Sequence, residues 1–451
     1  MVYAKPIRII RSATVINPSS GEVLKDHDIC IENGIITNIE PSKQGGAPNG
    51  FDATGLFALP GLIDSHVHSL GFLDEAIPGI LDLRWMFRQQ TRNLTAYLHS
   101  GVTTIRDMGS ALYLIRSKSR ESAHLKIEAP RILYAGPLFT VPKGYPHYLP
   151  HLPFFLEWIT GPVRIDLKEK DGTSQTETQV ERVVAAGASC IKVGYQSGKY
   201  DEVHTEIPII TIPLLDRLVK YAHKHHRPVA IHHTFRKDLQ MLLSSDIPFD
   251  SLEHLTTDED LSNDEVRTIV QRGIPVSTTL STYGIIHHVD ELEALIHQEP
   301  ERFEQKPIRF FQQMYDAVRS DGNPMRNMTK EYLKTARGFM STNLRKLMNA
   351  GGKIVFATDT GIMSPPGCPS WELKDMVRAG MKPLETLKAA TSIAADVIGM
   401  PELGRLESNK VADIVLLHKN PLENVEAVGA VAAVIRDGFL VYETPKTIKT
   451  A

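Results

Sequence analysis

Eight short apolar segments alternate with helical patterns through the middle of the chain. Each is rich in β-branched or other apolar residues, which predicts a buried strand. Between them, as in IPLLDRLVKYAHKHH and EVRTIVQRG, apolar residues recur at intervals of three and four, which predicts amphipathic helices. The eight segments are FALPGLIDSHVH, GVTTIRDMG, RILYAGPLF, SCIKVGY, RPVAIHHT, FDSLEHL, IPVSTTLST and GKIVFATDTG. This alternation predicts an α/β fold built on a (β/α)8 TIM-like barrel.

The two ends of the chain have a different pattern, of short strands and turns. Residues 4–58 contain β-branched runs interrupted by NPSSG and ENG, and the far end repeats this in KVADIVLLHKNP and AVAAVIRDGFLVYET. We therefore expect a small β-sandwich domain formed by both termini, residues 1–58 and 403–451, and a barrel of residues 59–402. Two long insertions, residues 137–175 and 283–335, are candidates for loops over the active site, and their roles stay open.

Charge and cysteine content narrow the class of partner. The formal net charge of −3 gives no electrostatic reason to expect nucleic acid or an anionic membrane. No apolar run is long enough for a membrane span, and the three cysteines are far apart, without the spacing of a disulfide framework or a cysteine zinc site. We expect a cytoplasmic protein that acts on a small molecule, with no nucleic-acid or membrane partner.

Polar residues gather at the C-terminal ends of the predicted strands. Such residues are costly to bury without partners, and in a barrel these ends meet at one mouth, where active sites form. His66 and His68 are two residues apart, so a strand would direct both imidazoles to one place, as metal chelation requires. The full set is His66, His68, Lys192, His232, His233, His254 and Asp359.

These motifs resemble the amidohydrolase superfamily. The resemblance rests on LPGLIDSHVH, GVTTIRDMG, SLEHL, FATDTG and the C-terminal ETLKAATSIAADVIGMPELGRLESNKVADIVLL, so it covers nearly the whole chain. It implies a distorted barrel with a β-sandwich from both termini, in the binuclear branch near imidazolonepropionase, Xaa-Pro dipeptidase and ochratoxin amidase-like enzymes.

The resemblance also implies a set of metal ligands. His66 and His68 match the histidines that bind the more buried ion. His254, with His232 in preference to His233, matches the ligands of a second ion; His233 would then border the substrate or hydrogen-bond within the barrel wall. Imidazole ligands suit Zn2+, which we expect at both sites, although Mn2+, Co2+ or Fe2+ fit the same ligand types.

Two further residues would complete the site by the same resemblance. A free ammonium only donates hydrogen bonds and repels cations, but Lys192 converted by CO2 to a carbamate would bridge the two ions. A barrel lysine paired with an acid such as Asp359 is the alternative. Asp359 would bind the first ion and act as general acid and base toward a metal-bridging hydroxide; on its own it could equally be a helix N-cap.

The predicted activity is hydrolysis of an amide bond, in an N-acyl amino acid or dipeptide-like substrate. Tyr195 and Tyr283 follow predicted strands and would either donate to the scissile carbonyl or pack in the core. Alternative activities are a mononuclear deaminase or cyclic-amide hydrolase, a lactone or phosphotriester hydrolase, and a non-catalytic scaffold protein. We expect a homo-oligomer, as is common in this superfamily.

Overall fold

The computed structural model describes residues 4–42, 50–70, 80–146, 154–167, 174–199, 205–298, 330–361 and 364–445. Parts of both predicted insertions, residues 147–153, 168–173 and 299–329, lie outside the described residues. The first six strands are β1 (Lys5–Pro6), β2 (Ile9–Asn17), β3 (Glu22–Glu32), β4 (Ile35–Pro41), β5 (Phe51–Asp52) and β6 (Phe57–Pro60).

Ten short parallel strands build the barrel in the part of the chain that the structure describes. They are β7 (Leu62–Val67), β8 (Val102–Asp107), β9 (Arg131–Tyr134), β10 (Leu138–Thr140), β11 (Arg164–Asp166), β12 (Ile191–Gly194), β13 (Val229–His232), β14 (Ser251–Glu253), β15 (Val276–Ser277) and β16 (Ile354–Val355). Hydrogen bonding gives the orders β7-β8-β9 and β11-β10-β12-β13-β14-β15-β16. β9 and β10 are the two halves of the third predicted strand, and β11 is an additional strand contributed by the first insertion.

Backbone contacts join these two groups of strands into a closed barrel. On one side the amide of Ser189, just before β12, donates to the carbonyl of Tyr134 in β9 at 2.8 Å. On the other side Val67 and Thr360 form a parallel bridge, and the Asp359 amide donates to the His66 carbonyl at 2.8 Å. All eight predicted strand positions are therefore present, which confirms the predicted fold class.

Helices lie between the strands as the sequence periodicity predicts. They are α1 (Ile80–His99), α2 (Leu112–Ala123), α3 (Phe154–Thr160), α4 (Ser174–Ala185), α5 (Ile212–Lys224), α6 (Arg236–Ser244), α7 (Asn263–Gln271), α8 (Leu280–Tyr283), α9 (Val289–Gln298), α10 (Lys330–Asn349), α11 (Pro369–Arg378), α12 (Pro383–Ala389) and α13 (Ser392–Val397). In α7, Ser262 and Glu265 form a reciprocal capping box that fixes where the helix begins. Among the described helices, none combines the length and apolarity that crossing a bilayer requires.

The last three strands return to the N-terminal sheet. They are β17 (Ile414–Leu417), β18 (Val431–Arg436) and β19 (Phe439–Glu443). The described strands of both termini form one nine-stranded sheet, in the order β1-β19-β18-β17-β6-β2-β3-β4 with β5 beside β2. This domain has its own hydrophobic cluster, whereas a second, larger cluster fills the barrel and its helix layer. The β-rich domain from both termini is thus confirmed, while the proposed boundaries of the two domains stay a prediction.

Candidate metal centre

The barrel mouth brings the predicted ligand residues into one buried cluster. His66 lies in β7, Lys192 in β12 and His232 at the end of β13, while His254 and Asp359 follow β14 and β16. All five side chains are buried, with exposed fractions between 1% and 7%. Parallel strands deliver them because their C-terminal ends share one edge of the barrel.

Three residues form a compact group of potential ligand atoms. One nitrogen each from His66 and His68 and one carboxylate oxygen from Asp359 all lie within 4.8 Å of one another. His68 Nε2 is 3.1 Å from Asp359 Oδ1, and His66 Nε2 is 3.5 Å from the same oxygen. Two imidazoles and a carboxylate at this separation are a ligand set suited to a divalent transition metal.

The local charges favour the protonation states that bind a cation. Burial alone raises the pKa of Asp359, but the close contact with His68 and the charges of His66 and His254 outweigh burial and hold this pKa below its usual range. Burial, with a further contribution from Lys192, lowers the pKa of His66 to about 4. The carboxylate is therefore ionised and the His66 imidazole neutral near pH 7, as metal ligands must be.

The backbone at the ends of two strands adopts an unusual conformation. His254 has φ of +85° and Asp359 has φ of +53°, a region that residues with a Cβ seldom occupy. Gly361 has φ of +98°, and a Cβ there would lie 1.9 Å from the His68 carbonyl oxygen. Strained backbone of this kind is concentrated at functional sites, because the surrounding structure must hold it in place.

The four histidine rings form a continuous chain. The centroids of His68 and His66 are 5.4 Å apart, those of His66 and His254 are 4.8 Å apart, and those of His254 and His232 are 4.7 Å apart. The row of rings thus continues from the group around Asp359 to His254 and His232.

Three of these histidines are oriented by a bond to the ring nitrogen that faces away from the cluster. His66 Nδ1 is 2.8 Å from the Glu253 carboxylate, and His68 Nδ1 is 3.3 Å from the Gly109 carbonyl. His254 Nδ1 is 2.8 Å from the Thr279 hydroxyl. Such outer partners fix the ring and its tautomer, and they are typical of metal-binding histidines.

Lys192 is buried with no hydrogen-bond partner for its Nζ in the part of the chain that the structure describes. Its exposed fraction is 1%, and burial lowers the pKa of its ammonium to about 8, despite the nearby charges of Glu253 and Asp359. A buried ammonium without partners is costly, and no described carboxylate forms an ion pair with it. An amine at this position fits carbamate formation better than the alternative of a lysine paired with an acid. The residues present therefore fit a two-cation site.

His232 and His233 occupy different environments. The His232 ring belongs to the histidine chain, at 4.7 Å from His254. Burial, followed by the charge of Lys192, lowers the pKa of His233 to about 3, and its Nδ1 has no hydrogen-bond partner among the described residues. This placement favours His232 as the ligand, which was the choice made from the sequence, and the assignment stays a prediction.

The side chains of the two tyrosines belong to the large hydrophobic cluster of the barrel. Tyr195 is fully buried, and strand alternation directs it to the opposite side from Lys192. Burial and the charge of Asp238 in α6 raise the pKa of Tyr195 to about 12. Tyr283 is the last residue of α8 and belongs to the large hydrophobic cluster. Both positions are typical of core packing, and contact with a substrate stays a prediction.

The sequence analysis did not identify the role of Glu253. Its carboxylate accepts from His66, from the Arg106 guanidinium at 2.8 Å, and from the hydroxyls of Ser251 and Ser277. Arg106 of β8 therefore pairs with Glu253 of β14. The sequence did contain a signal for this pair. Arg106 and Glu253 carry opposite charges on two strands that were predicted to be buried, and buried charges require partners.

Comparisons with known proteins agree with this architecture. Ochratoxinase from Aspergillus niger is 40% identical over 82 residues, a stretch that covers 18% of this chain and only 16% of that protein. The crystal structure of a Xaa-Pro dipeptidase with methionine bound in the active site has a TM-score of 0.74 at 22% identity, covering 97% of this chain and 99% of that chain. The structure of A. niger ochratoxinase has a TM-score of 0.73 at 22% identity, with coverages of 98% and 96%. The model of the Amidohydrolase family matches residues 57–441, and the chain therefore belongs to the amidohydrolase family.

Proposed function

We propose that the protein is a binuclear metal-dependent hydrolase that cleaves an amide bond. The observation that carries this proposal is the buried Lys192 amine without a partner, placed among four histidines and Asp359 at the barrel mouth. His66, His68 and Asp359 would hold the first ion, and His232 and His254 the second. A carbamate on Lys192 would supply an oxygen to each, and family membership supports hydrolysis as the general reaction.

Asp359 is the residue best placed to move protons. When bound, the two ions would supply Lewis acidity that lowers the pKa of a water molecule toward neutrality and polarises the substrate carbonyl. The Asp359 carboxylate, ionised in this environment, would accept the proton of the attacking water. It would then deliver this proton to the departing amine, so that one group serves as base and acid in turn.

We propose an N-acyl amino acid or dipeptide-like compound as the substrate. The support comes from the structural neighbours, which include a Xaa-Pro dipeptidase and an ochratoxinase of the same overall fold. The first insertion also reaches the site, because the ring of Tyr145 stacks on His232 at a centroid distance of 3.9 Å. Aromatic and apolar side chains from this insertion would favour a bulky group next to the scissile bond.

The first test is metal content per chain, measured on wild type and Lys192→Ala, with hydrolysis of N-acyl amino acids and dipeptides assayed in parallel. We expect about two ions in wild type, falling to one or none in the variant with loss of hydrolysis, because the bridging carbamate is removed. The matched control is Lys118→Ala, since Lys118 is also buried but pairs with Glu121 on α2. This control should keep both ions.

Two outcomes would contradict the proposal. About one ion in wild type and in Lys192→Ala would instead indicate a mononuclear deaminase or cyclic-amide hydrolase. Absence of metal from both would indicate a non-catalytic scaffold protein.

A further inference from the structure

We propose that Gln196 is a positioning residue, which fixes the tautomer and the ring plane of His232 so that this imidazole can bind the second cation. This inference rests on the proposed two-ion function. It concerns a residue in the loop after β12 that the sequence analysis did not single out.

Gln196 makes three hydrogen bonds in a fully buried position. Its exposed fraction is 1%. Its amide nitrogen donates to the Gly198 carbonyl at 2.8 Å. Its amide oxygen lies 2.7 Å from the Thr234 hydroxyl and 3.0 Å from His232 Nε2. The side chain is thus held at both ends.

These contacts determine which nitrogen of His232 carries the hydrogen. A carbonyl only accepts, so the amide nitrogen of Gln196 must face Gly198, and its oxygen must face His232. That oxygen also only accepts, so His232 Nε2 must be the donor. In a neutral imidazole the other nitrogen, Nδ1, then keeps its lone pair and is the atom able to bind a metal.

A stacking contact fixes the plane of the same ring. Tyr145 lies on one face of His232 with centroids 3.9 Å apart and planes inclined by 11°. Gly194 makes room for this arrangement, since a Cβ there would come within 2.9 Å of the Tyr145 backbone oxygen. The edge bond from Gln196 and the face contact with Tyr145 together leave His232 a single orientation, directed toward the histidine chain.

The histidines that would bind the first ion have hydrogen-bond partners of their own. His66 is held by Glu253 and His68 by the Gly109 carbonyl, and neither contact involves Gln196. Loss of Gln196 should therefore weaken the second ion and spare the first. Loss of one outer partner of a metal ligand typically costs about 10–100-fold in metal affinity or activity.

The test uses the full-length protein with Zn2+ as the probe. We expect Gln196→Met, which is similar in size but has no amide, to lower the affinity for the second ion by about 10–100-fold, while the first ion stays bound. Metal content is measured after dialysis against graded concentrations of a chelator, and kcat and KM are measured in the same samples. A decrease in kcat with little change in KM is expected, since Gln196 acts through His232.

Two further variants make the result specific. Thr234→Val removes only the hydroxyl that anchors Gln196, and it should give a smaller loss of the same ion; it also serves if Gln196→Met fails to fold. Gln240→Met is the control, because Gln240 is an exposed glutamine whose amide binds Glu265 on the helix layer. This control should bind both ions as wild type does.

Two results would overturn the inference, and they are distinguishable. If wild type binds two ions and folded Gln196→Met binds both with unchanged affinity, the role of Gln196 is wrong while the proposed function stands. If wild type itself does not bind two ions, the proposed function and this inference fail together.

Discussion

Single residues at the barrel mouth fix the positions of the predicted ligands in two ways, one through hydrogen bonds and one through backbone conformation. Glu253 illustrates the first, since it neutralises Arg106 and orients His66 with the same carboxylate. Gly361 illustrates the second, because its positive φ allows the chain to turn directly against the His68 carbonyl. At both positions the side chain, or its absence, decides where a predicted ligand lies.

The constraint at Gly361 can be measured with a matched pair of substitutions. Gly361 and Gly351 both have positive φ, at +98° and +78°, so alanine is conformationally strained at either one, by about 1–2 kcal/mol. A Cβ at Gly351 has nothing within 4 Å, whereas at Gly361 it would collide with the His68 carbonyl. We expect Gly361→Ala to unfold at lower urea and to lose bound metal, and Gly351→Ala to show only the smaller loss of stability. Equal effects of the two substitutions would show that the close approach to His68 is unimportant.

At the scale of elements, α11 supports the metal centre from outside the barrel. Glu372 on this helix accepts the backbone amides of Leu280 and Ser281 at 2.9 and 2.7 Å, and so holds the turn after β15. The same turn contains Thr279, whose hydroxyl contacts His254. A helix that is remote in sequence therefore fixes the position of a predicted ligand.

The burial of Glu372 predicts that the stability of the protein depends on pH. Burial raises the pKa of Glu372 from its usual 4.5 to about 7. The folded protein thus retains a proton on Glu372 that the unfolded chain releases, so this contribution to stability is complete below pH 4.5 and is lost as the pH rises through about 7. In the metal-free protein, we expect the excess stability of wild type over Glu372→Gln to be larger at pH 5 than at pH 8, by urea unfolding. A difference that is constant or grows toward pH 8 would contradict this assignment.

At the scale of the whole molecule, two arginines join the β-rich domain to the barrel. Arg436, at the end of β18, is 1% exposed and donates to the Ser122 carbonyl at 2.8 Å and to the Ser122 hydroxyl at 2.9 Å. It also donates to the Ala129 carbonyl. Arg131 of β9 reaches in the other direction and pairs with Asp413 and Asp437. The domain from the two termini is therefore attached by specific polar contacts as well as by apolar packing.

Substitution of Arg436 should lower the free energy of unfolding of the whole protein. In Arg436→Met the Ala129 carbonyl loses its Arg436 donor inside the core, at about 1–3 kcal/mol for an unsatisfied group. The Ser122 hydroxyl and carbonyl also lose Arg436, but they keep their bonds to the Pro130 carbonyl and the Leu125 amide. We expect a large decrease in the midpoint of urea unfolding. Arg405→Met is the control, because Arg405 pairs with the half-exposed Asp396 and should contribute about 0–1 kcal/mol. Similar midpoints for the two variants would show that the buried contacts contribute little. Assembly into a homo-oligomer stays a prediction at this scale.

Much of the architecture was predictable because it depends on local patterns. Apolar runs and helical periodicity located all eight strand positions, and polar residues at the ends of those strands identified the side chains that the structure gathers at the mouth. The added strand β11 was not predicted, since its three residues, Arg164–Asp166, carry no apolar run and, among the described strands, pair with β10 alone. A strand of this length is specified by its partner and not by its own sequence.

The sequence by itself determined the barrel, the composite β-rich domain and the candidate ligands, because each rests on spacing along the chain. Only the tertiary structure decided how those ligands are held: Glu253 to His66 across 187 positions, Gln196 to His232 across 36, and Glu372 to the turn after β15 across more than 90. The physical reason is that a hydrogen bond depends on the distance and angle between groups that folding brings together. Periodicity shows which side chains face the barrel interior, but not which of them meet.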